Sequence, residues 1–293
     1  LARRAAKLQP NTGWVLGTLF DLEARAGEWA AAEETLRRAV HAGVIKPEDG
    51  RRHRASLLLE RSFEAERRGR EEAALKLARE AHDLLPAFAP AATRYVRLAA
   101  RAGQLRRASK AALRAWRLSP NPELAAAYRE VVDGYEPLTR VKTFEKLAAQ
   151  APNSVESRIA VARAAMDAGL WGEARTELEK ARELHPTRRI FHLLAELERA
   201  EKGDEAAAQA WTLQELTASD DPAWSCRVCG GSHSLWAGLC GHCGAFDSLD
   251  WKTALTAPTM EPAMRPAMPQ SLVTVTPSRR VEPAAPAPAA AAA

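Results

Sequence analysis

Cysteine is nearly absent from this chain. Its 293 residues hold four, all between Cys226 and Cys243, so a disulfide framework spread through the molecule is excluded. Aromatic residues are scarce at 6%, and no run of alternating β-branched residues occurs, so the bulk of the chain does not read as sheet. No stretch of about 18 apolar residues is present, and no segment reads as a membrane-spanning helix. The sequence has no phosphate loop of the G-x-x-x-x-G-K type, no H-E-x-x-H, no G-x-S-x-G and no G-x-G-x-x-G. The usual sequence grounds for nucleotide, zinc-protease, serine-hydrolase or dinucleotide chemistry are therefore missing.

What is abundant is alanine, with arginine and leucine, a composition that favours helix. It is arranged periodically. Gly69 and Gly103 lie 34 residues apart, as do Gly169 and Gly203, Pro86 and Pro120, and Pro152 and Pro186. Ala74, Ala108, Ala174 and Ala208 follow the glycines by five residues, and Ala81, Ala115 and Ala181 by twelve; Gly27, Ala32 and Ala39 keep the same offsets in an earlier unit. A 34-residue period of this kind is the tetratricopeptide pattern. Glycine serves the turn between two antiparallel helices, small alanines let them approach, and proline ends the second helix. The expected fold class is all-α: a tetratricopeptide-repeat superhelix, an α-solenoid, over residues 1–220. Units are expected near 13–46, 55–88, 89–122, 155–188 and 189–218, with a degenerate unit at 123–154, where Pro137 replaces the turn glycine. Residues 47–54 read as an insertion between units. Stacked units bury their apolar faces against one another and leave a concave groove suited to peptides or partner helices.

Cys226, Cys229, Cys240 and Cys243 form C-x2-C, ten residues, C-x2-C. Two thiolates two residues apart reach one ion from a tight turn, and two such turns complete a closed tetrahedral site. One structural zinc ion is the expected cofactor, in a ribbon over residues 221–252. Gly230 and Gly244 follow the pairs, and Trp224, Trp236, Phe246 and Trp251 bracket them. His233 and His242 are read as surface residues, and Arg227 and Lys252 as possible offsets to the thiolate charge. From its place after the last unit, the ribbon is expected to pack on the final helices.

The charge is +5 overall, with one local excess: no acidic residue lies between Asp83 and Glu123. Arg106, Lys110, Arg114 and Arg117 share one helical face there. That face is a solvated surface, a dock for an acidic partner segment, or a contact for anionic headgroups. Nucleic acid is disfavoured, because no aromatics are interleaved as stacking platforms. Residues 253–293, rich in Pro and Ala, read as a disordered tail. The chain opens at Leu1 inside a helical pattern, and a preceding segment that includes any membrane anchor is expected to be missing.

Repeats followed by Asp221-Pro222-Ala223-Trp224, the cysteine pairs and Gly244-Ala245-Phe246-Asp247-Ser248-Leu249-Asp250-Trp251 resemble the HemY-type tetratricopeptide-repeat family of alphaproteobacteria, over about residues 1–252. More distantly, the short spacer resembles the lipopolysaccharide assembly protein LapB, whose ribbon is rubredoxin-like. The resemblance implies a non-enzymatic, membrane-associated scaffold at the bacterial inner membrane, with its repeats in the cytoplasm and protein partners among haem-biosynthesis enzymes. LapB instead implies an adaptor regulating lipopolysaccharide synthesis. A haem-handling protein is the rival from another class. His82, His185 and His192 could serve as axial ligands, but C-x-x-C-H is absent.

Overall fold

The computed structural model describes residues 12–253, which fall in one unit reaching to Thr256. The proposed tail lies outside the described residues, apart from Thr253. Twelve helices run through the described residues: α1 (Gly13–Arg25), α2 (Trp29–His41), α3 (Pro47–Arg67), α4 (Glu71–Leu84), α5 (Ala89–Arg101), α6 (Leu105–Leu118), α7 (Pro122–Val131), α8 (Pro137–Ala148), α9 (Val155–Asp167), α10 (Trp171–Leu184), α11 (Arg188–Lys202) and α12 (Glu205–Glu215). Each odd-numbered helix packs on the next in five of the six pairs; in the degenerate unit α7 packs instead on α5 and α6, and α8 on α9. Three short strands follow: β1 (Pro222–Cys226), β2 (Ser232–His233) and β3 (Leu249–Thr253). They form an antiparallel sheet in the order β2-β1-β3. The chain is an all-α solenoid of tetratricopeptide type carrying a small ribbon.

The turn within a pair explains the periodic glycine. Gly103 has φ of +71°, and Gly27, Gly69, Gly169 and Gly203 match it within a few degrees, a left-handed conformation that a Cβ disfavours. At Gly103 the amide donates to Ala100 O, and the next amide, of Gln104, reaches back to Ala99 O. Both bonds satisfy carbonyls at the end of α5. Pro137, by contrast, opens α8 in its first turn, where a missing N–H costs nothing.

Periodic alanines set the packing distance. Ala32, Ala74, Ala108, Ala174 and Ala208 are all fully buried. First helices contact first helices (α3 with α5, α5 with α7, α7 with α9), so they make one layer, while α6 and α8 meet in the other. Large side chains fill the space the alanines leave. Trp116 of α6 is fully buried, and its indole N–H donates to Ser157 Oγ of α9 at 2.9 Å. Ser157 Oγ in turn donates to Ala151 O at 2.7 Å.

Residues 47–54 are not a connecting loop. Pro47 starts α3, with Glu48 and Asp49 in its first turn, where proline and acidic residues suit a helix N-terminus. At 21 residues, α3 is the longest helix described. Its extra turns carry Arg52 and His53, and these decide where the ribbon sits.

Candidate metal centre and its docking face

The four cysteines sit on two loops of the same shape. The Gly230 amide donates to Cys226 O at 3.0 Å, and the Gly244 amide to Cys240 O at 2.8 Å. Each turn thus closes on the first cysteine of its pair and presents both sulfurs to one side. All four Sγ atoms lie within 4.8 Å of one another. Cys226 Sγ is 3.8 Å from Cys243 Sγ, and Cys229 Sγ is 3.7 Å from Cys240 Sγ. A tetrahedron with Zn–S bonds of about 2.3 Å has sulfur–sulfur edges of about 3.8 Å, so the spacing fits zinc.

The electrostatics fit as well. Burial raises the Cys226 thiol, but Ser248 Oγ at 3.2 Å and backbone amides, including Val228 N–H at 3.4 Å, outweigh it and hold the thiol at about 6. For Cys229 the Gly231 N–H favours the thiolate. Burial and the neighbouring sulfurs of Cys243, Cys226 and Cys240 overcome it and push the thiol up to about 12. Protons are therefore shed unequally, and a divalent cation is the natural means of holding all four as thiolates. Cys226 and Cys240 are buried, Cys243 is half-buried and Cys229 is exposed.

His242 is exposed, in line with a surface role. His233 is half-buried, with Nε2 3.3 Å from Cys240 Sγ, so it addresses a sulfur directly and is not simply a surface residue. Arg227 and Lys252 turn instead to Asp250, at 3.4 and 3.5 Å. Arg227 also donates to Asp247 O at 2.7 Å.

The ribbon does not pack on the final helices. The chain leaves α12, is pinned at the start of α11 (Arg188 N–H to Ser219 O, 3.0 Å; Arg189 N–H to Asp221 Oδ2, 2.8 Å), and then lies over the first-helix layer of the early units. The cause is the lengthened α3. Asp247, fully buried, accepts from Arg52 Nε (3.2 Å), His53 Nδ1 (2.8 Å) and Ser56 Oγ (2.8 Å). Its φ of +46° is the only positive value at a non-glycine residue among those described. Arg52 also donates to Leu249 O at 2.9 Å and pairs with Asp250 at 2.9 Å. Phe246 enters between Phe20, Trp29 and His53, with ring centroids 5.7, 6.2 and 5.9 Å away. Trp236 stands edge-on to Phe88 at 5.5 Å.

Two glutamates complete this seam. Gly238 N–H donates to Glu60 Oε1 at 2.9 Å, and a Cβ at residue 238 would lie 2.6 Å from that oxygen, so a larger residue there would push the Glu60 side chain out of this geometry. Trp224 Nε1 donates to Glu123 Oε1 at 2.6 Å. Burial raises both carboxyls above their ordinary range, against the opposing hydrogen bonds from Gly238 to Glu60 and from Trp224 to Glu123. Apolar contact is shared too. Leu58, Leu59, Ala81 and Phe88 form one core cluster with Trp224, Trp236, Cys240 and Leu249. The docking residues of α3 escape sequence reading because nothing local marks them; the extra turns that break the 34-residue period are the available signal.

The basic face lies apart from this seam. Arg106, Lys110, Arg114 and Arg117 are all exposed on α6. Of the other cations in the acid-free stretch, Arg94 is buried and pairs with Glu66 at 2.6 Å, Arg97 pairs with Glu130, Arg101 is exposed and pairs with Glu66, and Arg107 is exposed and donates to Gln104 Oε1. The three histidines considered for haem are dispersed. His82 is buried on α4 and stacked on Tyr95 at 5.6 Å, His185 follows α10, and His192 is exposed on α11.

No family profile matches this chain. A probable magnetosome protein, Mms48, of Magnetospirillum gryphiswaldense is 32% identical over 246 residues, 81% of this chain and 53% of the relative, so the chain spans about half the length of that curated relative. Among solved structures, MamA of Desulfovibrio magneticus is 19% identical, covering 56% of this chain and 94% of its own, at a TM-score of 0.35. A tetratricopeptide-repeat protein of Thermus thermophilus is 18% identical, covering 56% and 91%, at 0.38. One from Parabacteroides merdae is 17% identical, covering 72% and 81%, at 0.41. At these TM-scores the overlaps are loose.

Proposed function

We propose that this chain is the interaction module of a non-enzymatic adaptor, stapled by one structural zinc ion on Cys226, Cys229, Cys240 and Cys243. Four thiolates leave no open coordination position, so the metal holds shape and does no chemistry. What carries the adaptor reading is the division of the first-helix layer. The ribbon covers its early part and leaves a cleft of about 440 Å³ lined by Ala125, Ile159, Arg129, Arg163, Arg189 and Glu156, with Arg129 paired to Asp167 and Arg189 to Glu156. A groove with an apolar floor and a wall of mixed charge suits an extended, largely apolar segment that brings one carboxylate to Arg163. The exposed cations of α6 form a second dock, for an acidic partner surface.

For the pathway, the likeness of residues 221–251 to the HemY-type family supports a scaffold for haem-biosynthesis enzymes at the bacterial inner membrane. The magnetosome relative supports a second reading, in which the adaptor serves a magnetosome; the LapB likeness supports the lipopolysaccharide alternative least. The test is crosslinking of the full-length protein in native membranes followed by mass spectrometry. Enrichment of haem-synthesis enzymes, magnetosome proteins or lipopolysaccharide enzymes assigns the pathway. Failure to enrich any protein over an Arg163→Glu, Arg189→Glu control overturns the groove as the adaptor site.

A further inference from the structure

Beside the contacts of Trp224, Trp236 and Gly238, a short linear stretch supplies a separate part of the ribbon's hold on the early repeats. Within residues 244–251, Phe246 fills the aromatic slot of Phe20 and Trp29, Asp247 takes three donors from consecutive turns of α3, and Asp250 pairs with Arg52. None of these three is a cysteine of the metal centre, and the anchoring donors all belong to one helix. Apart from Trp29 of α2, the receiving residues lie on first helices, α1 and α3. That linear part of the contact can be reproduced by a peptide, whereas the part made by Trp224, Trp236 and Gly238 belongs to the folded ribbon.

We infer that the α1–α3 face is a receptor for a turn carrying phenylalanine followed by aspartate, filled in this structure by the chain's own Phe246 and Asp247, and that a partner protein presenting the same turn binds by displacing them. Phe20 and Trp29 supply the aromatic slot, and Arg52, His53 and Ser56 the carboxylate cradle. The inference rests on the adaptor reading and names the chemistry of a partner. Because it is tested with a synthetic peptide and no cellular material, its failure and the failure of the crosslinking test are distinguishable. The tethered copy competes at an effective concentration on the order of millimolar, so an external peptide sees an almost closed site in the unaltered chain.

The probe is a fluorescein-labelled peptide, Gly-Ala-Phe-Asp-Ser-Leu-Asp-Trp, matching residues 244–251, titrated into the whole chain by anisotropy. The Phe246→Ala, Asp247→Ala chain, verified by zinc content and helical circular dichroism, should bind it at least about tenfold tighter than the unaltered chain. A peptide with asparagine for its first aspartate should bind at least about tenfold more weakly, and adding Arg52→Ala and Ser56→Ala should abolish binding. No binding to the opened chain, equal binding to both chains, or indifference to the asparagine peptide overturns the proposal. If the double variant does not fold, the unaltered chain supplies the test: peptide in excess, on the order of millimolar, should raise amide exchange across residues 222–251 but not in the Arg52→Ala chain. An unchanged exchange pattern overturns it equally.

Discussion

Replacing Asp247 by alanine removes the one carboxylate that is fully buried in the seam while leaving every cysteine in place. Three donors lose their acceptor: Arg52 Nε, His53 Nδ1 and Ser56 Oγ. Deleting one partner of a buried charged pair costs about 3–5 kcal/mol. The lower half of that range applies, because Arg52 is 30% exposed and keeps Asp250 and Leu249 O. Alanine also inherits the left-handed backbone at φ +46°, which costs it about 1 kcal/mol. The expected loss is thus about 4–5 kcal/mol for Asp247→Ala. Asp247→Asn tolerates the backbone but turns an NH2 group towards donors, and about 2 kcal/mol is expected. Urea unfolding read by the fluorescence of Trp224, Trp236 and Trp251 measures this, with zinc content as the control. A double-mutant cycle with Ser56→Ala should return a coupling of about 1–2 kcal/mol. If Asp247→Ala falls within about 0.5 kcal/mol of the unaltered chain, as a surface change would, the seam is not held by this carboxylate and the reasoning fails.

Cys226→Ser should release the zinc and, because the ribbon lies on α3, speed amide exchange over residues 47–67 more than over α12; full metal content in the variant would refute the four-thiolate site. Glu60 supplies a pH test. Its carboxyl is raised in the folded chain, chiefly by burial, so its contribution to stability is fully present below the unfolded value and is lost as pH rises through the folded one. Glu60→Gln, which still accepts from Gly238, should therefore be neutral or stabilising at pH 7, with the gain shrinking as pH falls, whereas Glu60→Ala should cost about 1–3 kcal/mol. A Glu60→Gln chain clearly weaker than the unaltered one at pH 7 would contradict this.

The helix pairs were legible because their determinants are local. A left-handed turn needs glycine, and close packing needs alanine five and twelve residues later, so Gly103, Ala108 and Ala115 announce α5, α6 and the turn between them. The cysteine cluster was legible for the same reason: two tight turns fix the sulfurs whatever surrounds them. The docking of the ribbon was not. Asp247 meets Ser56 across 191 residues, and no pattern spans that distance. Sequence position suggested the neighbouring helices, but the last units lack a cradle like that of Arg52, His53 and Ser56. The apparent insertion at residues 47–54 proved to be part of that cradle, since it adds the helical turns that carry two of the three donors. Asp247 and Ser248 were visible as residues of a recurring segment, yet their burial depends on a surface supplied from elsewhere in the chain.

A repeat stack ordinarily behaves as an open spring, in which each unit feels only the next and the ends fray independently. Here the far end of the chain is tied back to the second helix pair, closing a ring of nearly two hundred residues. Chain connectivity then resists changes in curvature, because bending any pair must either stretch the linker at Ser219–Asp221 or pull Asp247 from its cradle. Loss of the ion would do more than melt a small ribbon: it would turn a braced hoop into an open coil, whose terminal pairs unfold first and one by one.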